Sequence, residues 1–213
     1  MGKIISLVNE KGGSTKSTTC VHLATWLKNA DYNVCVIDAD PQKSSSVWIE
    51  SLELDIPCTL MFSADDLIDK TGDLADEFDY VVIDSPGKTD EITRAILLVS
   101  DFALLPVPPA GLDLHPSQKT VRLVKQAQKV RGGLPKGALF INRAGKNTRL
   151  KDETKQALKD IKEVDTLETI VHFKQVIIDS FGQGQTVFSM KGRAAKDAAR
   201  EFNKLFTELL EIM

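Results

Sequence analysis

Cysteine is scarce in this sequence: Cys20, Cys35 and Cys58 are the only three in 213 residues, and no two form a C-x-x-C pair. That argues against a zinc knuckle, an iron–sulfur cluster and a disulfide framework, and leaves free thiols in a reducing compartment. No apolar run approaches the ~18 residues of a membrane span. The opening Met1–Val8 runs at once into Asn9-Glu10-Lys11 without a small-residue cleavage site, so it reads as a buried first strand and not as a signal peptide. Histidine is also sparse, and His22, His115 and His172 have no arguable Ser or Cys partner, which leaves structural or surface roles. Trp26 and Trp48 read as residues that pack along helices. What remains is a globular balance, 42% hydrophobic and 27% charged, without repeats or low-complexity linkers, consistent with one domain over residues 1–213.

The net charge of −3 hides an asymmetry. Residues 1–110 carry 8 basic and 18 acidic residues, whereas residues 111–213 carry 19 and 12. From Lys119 to Lys155 there are 11 basic and 2 acidic residues. Such a stretch suits a polyanion, although solvated helix faces produce the same composition. Phe140 is the only aromatic residue in it, so any nucleic-acid contact would be to duplex phosphates and not to stacked bases.

Short apolar runs alternate with amphipathic segments. Strands are expected at Lys3–Val8, Asn33–Asp38, near Pro57–Phe62, Asp79–Asp84, Asp101–Val107, Gly137–Asn142 and Thr166–Phe173, the fifth stopped by Pro106, Pro108 and Pro109. Helices are expected at Ser17–Asn29, near Ser44–Leu52, Ala64–Phe78, Glu91–Val99, Pro116–Val130, Arg149–Lys162 and Gly192–Met213. The alternation predicts an α/β fold, a doubly wound and mainly parallel sheet with helices on both faces. Ligands of such sheets bind beyond the carboxyl ends of the strands.

The segment after the first strand is Asn9-Glu10-Lys11-Gly12-Gly13-Ser14-Thr15-Lys16-Ser17-Thr18-Thr19, followed by a helix. Two glycines let successive N–H groups turn toward an anion, and the helix N-terminus adds to the field. Lys16 would reach β- and γ-phosphates, and the Ser17 hydroxyl would ligate Mg²⁺. The bland alternative is a Gly-Gly turn between exposed lysines. Two carboxylates close the second strand in Asp38-Ala39-Asp40-Pro41-Gln42, which suits Mg²⁺ or water handling, or an Asx-Pro turn capping a helix. Val81-Val82-Ile83-Asp84 ends another apolar strand and runs into Ser85-Pro86-Gly87.

The ordinary P-loop pattern fails here, because Glu10 and Thr15 stand where it has glycines. What survives, Lys11-Gly12-Gly13-x-x-Lys16-Ser17, resembles the deviant Walker A motif of the ParA/MinD family of ATPases. Asp38–Gln42 looks like that family's D-x-D-P-Q string, Val81–Asp84 with Ser85–Gly87 like its Walker B strand and switch, and Leu105–Leu114 like its P-V-x-P-S-x-L-D segment. The match is most like small ParA-type partition ATPases lacking an N-terminal helix-turn-helix domain. Thr15 departs from it: a β-branched side chain replaces Gly where the backbone hugs the phosphates.

The resemblance implies a slow, partner-stimulated ATPase with ATP and Mg²⁺ as cofactors, cytoplasmic and nucleoid-associated. Two subunits would sandwich ATP. Lys11 would reach the partner's phosphates, Lys16 would hold its own, Asp40 would orient the attacking water and Asp38 would support the metal and water shell. Ser17 and Asp84 would complete the Mg²⁺ site. The Gly87 N–H would sense the γ-phosphate. Gly12, Gly13, Ser14, Thr15, Lys16, Ser17 and Thr18 would form the phosphate cradle, and Asn142 would read the adenine edge. The ATP-bound homodimer would coat DNA non-specifically, as in plasmid partition, through Arg143, Lys146, Arg149, Lys151, Lys155, Arg193, Lys196 and Arg200. A ParB-like or other cargo adaptor would trigger release. The alternatives are a protein cargo, such as carboxysomes or chemoreceptor clusters, and a MinD-like membrane-associated switch. The last is disfavoured by the acidic polar face of the C-terminal helix.

Overall fold

The computed structural model describes every residue except 12, 14, 88 and 110–114, together with the backbone alone of 115 and 116. The expected Gly12 and Ser14 contacts, and the part of the proline-rich segment from Ala110 to Leu114, lie outside the described residues. Seven strands alternate with eight helices in the described chain. The strands are β1 (Lys3–Leu7), β2 (Val34–Asp38), β3 (Cys58–Leu60), β4 (Tyr80–Asp84), β5 (Phe102–Val107), β6 (Lys136–Ala144) and β7 (Asp165–His172). The helices are α1 (Lys16–Asn29), α2 (Ser44–Ser51), α3 (Ala64–Glu77), α4 (Asp90–Val99), α5 (His115–Val130), α6 (Arg149–Lys159), α7 (Gln175–Gly182) and α8 (Arg193–Ile212).

All strands pair in parallel, in the order β3-β2-β4-β1-β5-β6-β7. The strands are apolar throughout because both faces are covered. Alternate residues feed two cores. Ile4, Ile37, Ile83, Leu105 and Ile141 face α3, α4, α5 and α6, while Leu7, Val36, Val82, Leu104 and Phe140 face α1, α2 and α8. This is the doubly wound α/β architecture that the alternation predicts.

Two features depart from expectation. Pro106 does not end β5; it pairs in register with Phe140. The β1 side of β5 is paired only as far as Leu7 opposite Leu104, so the missing Pro106 N–H falls where β1 has already ended. The Pro106 carbonyl on that side accepts from Asn9 Nδ2 at 2.8 Å. The other departure is α7, a helix absent from the sequence reading, which follows β7 in the chain and packs against α8.

The register brings the chemistry-bearing ends together. Leu7 lies opposite Asp84, and Asp84 lies opposite Asp38. The loop after β1, the carboxylates of β2 and β4, and the end of β6 therefore meet beyond the carboxyl ends of the strands.

Candidate functional site

Residues 9–16 lead from β1 into α1. Asn9 anchors the loop: its amide donates to Pro106, and its Oδ1 accepts the Lys11 N–H at 3.0 Å. Gly13 and Thr15 both have positive φ, 72° and 70°. Glycine adopts that conformation freely, but for Thr15 it costs on the order of 1–2 kcal/mol. Thr15 is the first residue before α1; its side chain makes no cap bond to the helix, and no acidic residue occupies the first turn. The positive end of α1 is thus left facing the loop for an anion.

Lys16 is buried, at 7% exposure, and burial lowers its pKa against the attraction of Asp84 and Asp40. Asp84 is fully buried and neither of its oxygens makes a hydrogen bond of good geometry. Burial pushes its carboxyl up to about 7; the nearby Ser17 and Ser45 hydroxyls and Lys16 lower it, while Asp38 raises it. The Ser85 hydroxyl is likewise buried without a hydrogen-bond partner among the described residues.

These unsatisfied atoms fit a hard divalent cation. Mg²⁺ takes oxygen ligands, one or two carboxylates and the substrate's phosphates. The described residues hold no group of three or more His, Cys, Asp or Glu placed to hold a metal.

Asp38 has a different environment. Its Oδ1 accepts the Asp40 N–H at 3.0 Å and its Oδ2 the Ser46 N–H at 2.8 Å, so it caps the start of α2 and shapes the turn. Asp40 accepts the Gln42 N–H at 2.9 Å and is half-buried at the cleft wall. Lys11 is half-buried and forms no ion pair among the described residues, whereas its neighbour Glu10 pairs with Lys119 at 2.9 Å.

A cleft of about 550 Å³ runs from this loop across the end of the sheet. Its polar end is lined by Gly13, Thr15, Lys16, Ser17, Thr18, Asp40, Gly87 and Asn142. Its apolar end is built from Trp48, Phe173, Ile177, Ile178 and Phe181, and α7 contributes three of these. Phe173, Ile178 and Phe181 are each about half exposed there. At the same end His172 and Lys174 pair with Glu201 of α8, which also accepts the His172 backbone N–H at 2.9 Å.

Two expected residues make contacts within the protein at the cleft. The Asn142 amide is committed within the protein: Nδ2 donates to the Thr15 hydroxyl and, at 3.4 Å, to Thr19 Oγ1, while Oδ1 accepts the Arg143 N–H at 2.8 Å. Arg143, expected among the DNA contacts, turns into the cleft. Its φ is 57°, its guanidinium donates to the Gly13 carbonyl at 3.3 Å, and it lies 5.8 Å from the centre of the Phe173 ring.

The other expected DNA contacts fall in two groups. Lys146, Arg149, Lys151 and Lys155 lie on α6 and the turn before it; Arg193, Lys196 and Arg200 lie in the first turns of α8. The two helices cover opposite faces of the sheet beside its β6–β7 edge. Several of these cations already have partners, with Arg149 on Glu153, Lys155 on Glu168 and Arg200 on Asp197.

Comparison with known proteins bears on the same region. A family model described as the CobQ/CobB/MinD/ParA nucleotide binding domain matches residues 5–187. Maintenance of carboxysome distribution protein A from Halothiobacillus neapolitanus is 29% identical over 212 residues, spanning 97% of this chain and 95% of that protein. The solved structure of apo McdA from Cyanothece has a TM-score of 0.81 at 18% identity, covering 98% of this chain and 100% of that one. The ATP complex of a variant of that McdA has a TM-score of 0.78 at 16% identity, covering 98% and 96%. At these identities the two structures speak to the fold.

Proposed function

The chain belongs to the CobQ/CobB/MinD/ParA nucleotide-binding family, and from that premise we propose that it is an ATPase that positions a cargo by switching between a monomer and an ATP-bound dimer. One observation carries the reading. Buried Lys16 and buried, unsatisfied Asp84 converge under a loop whose following helix presents its N-terminus to the cleft. Such a combination is unfavourable in an empty protein and is relieved by a phosphate group with its counter-ion.

In this reading Lys16 pairs with the β- and γ-phosphates of ATP, and the amides of the loop and of α1 hold their oxygens. Ser17 and Asp84, with Asp38 in support, hold Mg²⁺, which when bound offsets the charge of the phosphates. Asp40, at the cleft wall, orients the attacking water. Lys11 stands at the front of the loop, available to a second subunit's phosphates, where a cation stabilises charge as it develops. The γ-phosphate then separates the two assembly states, and hydrolysis resets them.

The output is proposed to be dimer-dependent attachment to nucleoid DNA, with release stimulated by an adaptor on the cargo. Dimerisation doubles the basic surface, so affinity for duplex DNA should rise with ATP and fall steeply with salt. The full-length similarity to a carboxysome-distribution protein favours a protein assembly over a plasmid as cargo. A membrane-switching role is not favoured. The apolar stripe of α8, with Phe202, Leu205, Phe206 and Leu209, is fully buried against the sheet, and no described helix is long and apolar enough to cross a bilayer.

The test compares the parent with Lys16→Ala and Asp40→Ala by sedimentation with ATP and Mg²⁺. Lys16→Ala should stay monomeric, and Asp40→Ala should accumulate as a dimer that retains DNA. Two variants that hydrolyse ATP like the parent would overturn these roles.

A further inference from the structure

Thr15 poses a problem that its neighbours solve. A β-branched residue persists in the left-handed region only where its surroundings dictate it. Here the surroundings are Asn142, at the end of β6. Its side chain is 3% exposed, and Nδ2 donates to the Thr15 hydroxyl. The same amide reaches Thr19 Oγ1 at 3.4 Å, and Thr19 Oγ1 donates back to the Thr15 carbonyl at 2.9 Å. The next residue adds a second grip through the Arg143 bond to the Gly13 carbonyl. The loop is thus tied at Gly13 and Thr15 to a strand of the sheet, in the protein without nucleotide.

We propose that Asn142 is a positioning residue for the phosphate loop, acting through the Thr15 hydroxyl. Both Asn142 donors are engaged by threonine hydroxyls, and its oxygen holds the Arg143 N–H. A loop held in its binding conformation before the ligand arrives loses less entropy on binding. Thr15 and Asn142 therefore form one device. The threonine supplies the hydroxyl that glycine lacks, and the asparagine holds the backbone where glycine would let it wander. Because the device acts on the loop, it affects any ligand with a phosphate chain, whatever its base.

The inference rests on the reading of the loop as a nucleotide site, and its test separates the two. Affinities for ATP, GTP and inorganic tripolyphosphate are measured with Mg²⁺ for the parent, Asn142→Ala, Thr15→Val, Thr15→Ser and the Asn142→Ala/Thr15→Val pair. Amide exchange of residues 9–18 is followed without ligand. Asn142→Ala and Thr15→Val should each weaken all three ligands by about tenfold, the scale of one lost hydrogen bond that orders the loop. Both should speed exchange of the loop in the empty protein. The pair should be no worse than either single change, and Thr15→Ser, which keeps the hydroxyl, should restore parental behaviour. The proposal is overturned if Asn142→Ala weakens ATP while sparing tripolyphosphate, if Thr15→Val changes nothing, or if the two effects add. A parent that binds none of the three ligands overturns the nucleotide reading, and the exchange rates then judge the clamp by themselves. Thr15 lies in the half-buried loop, so Thr15→Val keeps the test open should Asn142→Ala fail to fold.

Discussion

Two buried titratable groups, one within α1 and one at the end of β4, are treated in opposite ways. His22 has every polar atom satisfied. The Val187 N–H donates to its Nε2 at 3.3 Å, so Nδ1 carries the proton and donates to the Thr18 carbonyl at 2.7 Å. Its ring stacks on Phe202 at 4.4 Å and meets the edge of Trp48 at 5.4 Å. Burial pushes its pKa down to about 4, so the neutral ring is a permanent part of the core. Asp84 is as deeply buried, yet among the described residues neither oxygen receives a hydrogen bond of good geometry, and the Ser17 and Ser45 hydroxyls lie near. The difference separates architecture from function. A fold closes its own hydrogen bonds where a polar group only pins one segment to another, and leaves them open where a ligand completes them.

The comparison can be broken or sharpened at four points. Lys16→Ala should show the largest effect: nucleotide affinity should fall at least about a hundredfold, since a buried charge-assisted contact to phosphate is lost. Thermal stability should hold or rise, because the change also removes a buried cation. Calorimetric titration with a melting curve checks both, and a variant that melts earlier while still binding ATP would mean that Lys16 serves the fold.

His22→Ala should show the reverse pattern. It leaves a cavity and orphans the Val187 N–H, costing about 3 kcal/mol in denaturant unfolding. Its pH signature follows from the depressed value. The unfolded chain takes up a proton below about 6.5 and the folded one only below about 4, so stability should fall as pH drops through that window. His22→Phe should flatten that arm of the profile; an unchanged acid limb would assign the loss to other groups.

Asp84→Asn should stabilise the empty protein by about 2 kcal/mol at pH 8. The sign follows from the raised value. The folded state keeps its proton up to about pH 7 while the unfolded chain releases it near pH 4, so this group destabilises the fold increasingly across that interval. The same change should abolish the Mg²⁺ dependence of nucleotide binding. A destabilised Asp84→Asn would mean that the carboxylate is structural after all.

The smallest effect is a proton. Because burial raises the Asp84 carboxyl toward neutral pH, binding of Mg²⁺ and nucleotide near pH 7 should release a fraction of a proton. Titrations in buffers of different ionisation heat detect it, and a release of zero would place the Asp84 pKa elsewhere.

Much of this was legible beforehand. Apolar runs such as Val81–Ile83 located buried strands, and Lys11-Gly12-Gly13 with Lys16-Ser17 located the loop, because both signals are local. The cleft's apolar wall was not legible. Val176-Ile177-Ile178 is a short apolar run that suits a strand or a helix, and only its place between β7 and α8 makes it α7. Pro106 was read as a strand breaker because its cost depends on a neighbour, and β1 ends before reaching it. Arg143 was assigned by charge alone to a DNA-contacting surface, and only the fold shows that a left-handed backbone sets its exposed guanidinium beside Gly13 and Phe173.

The amino-acid order by itself determined the alternating elements, the parallel sheet that follows from them and the chemistry of the phosphate loop, since each depends on residues within a few positions of one another. Tertiary structure alone decided that Asp38 caps a helix while Asp84 stays unsatisfied, and that Asn142 reaches Thr15 across 127 positions. Identical side-chain types acquire different roles there, because burial and hydrogen bonding are set by which segments the sheet brings side by side.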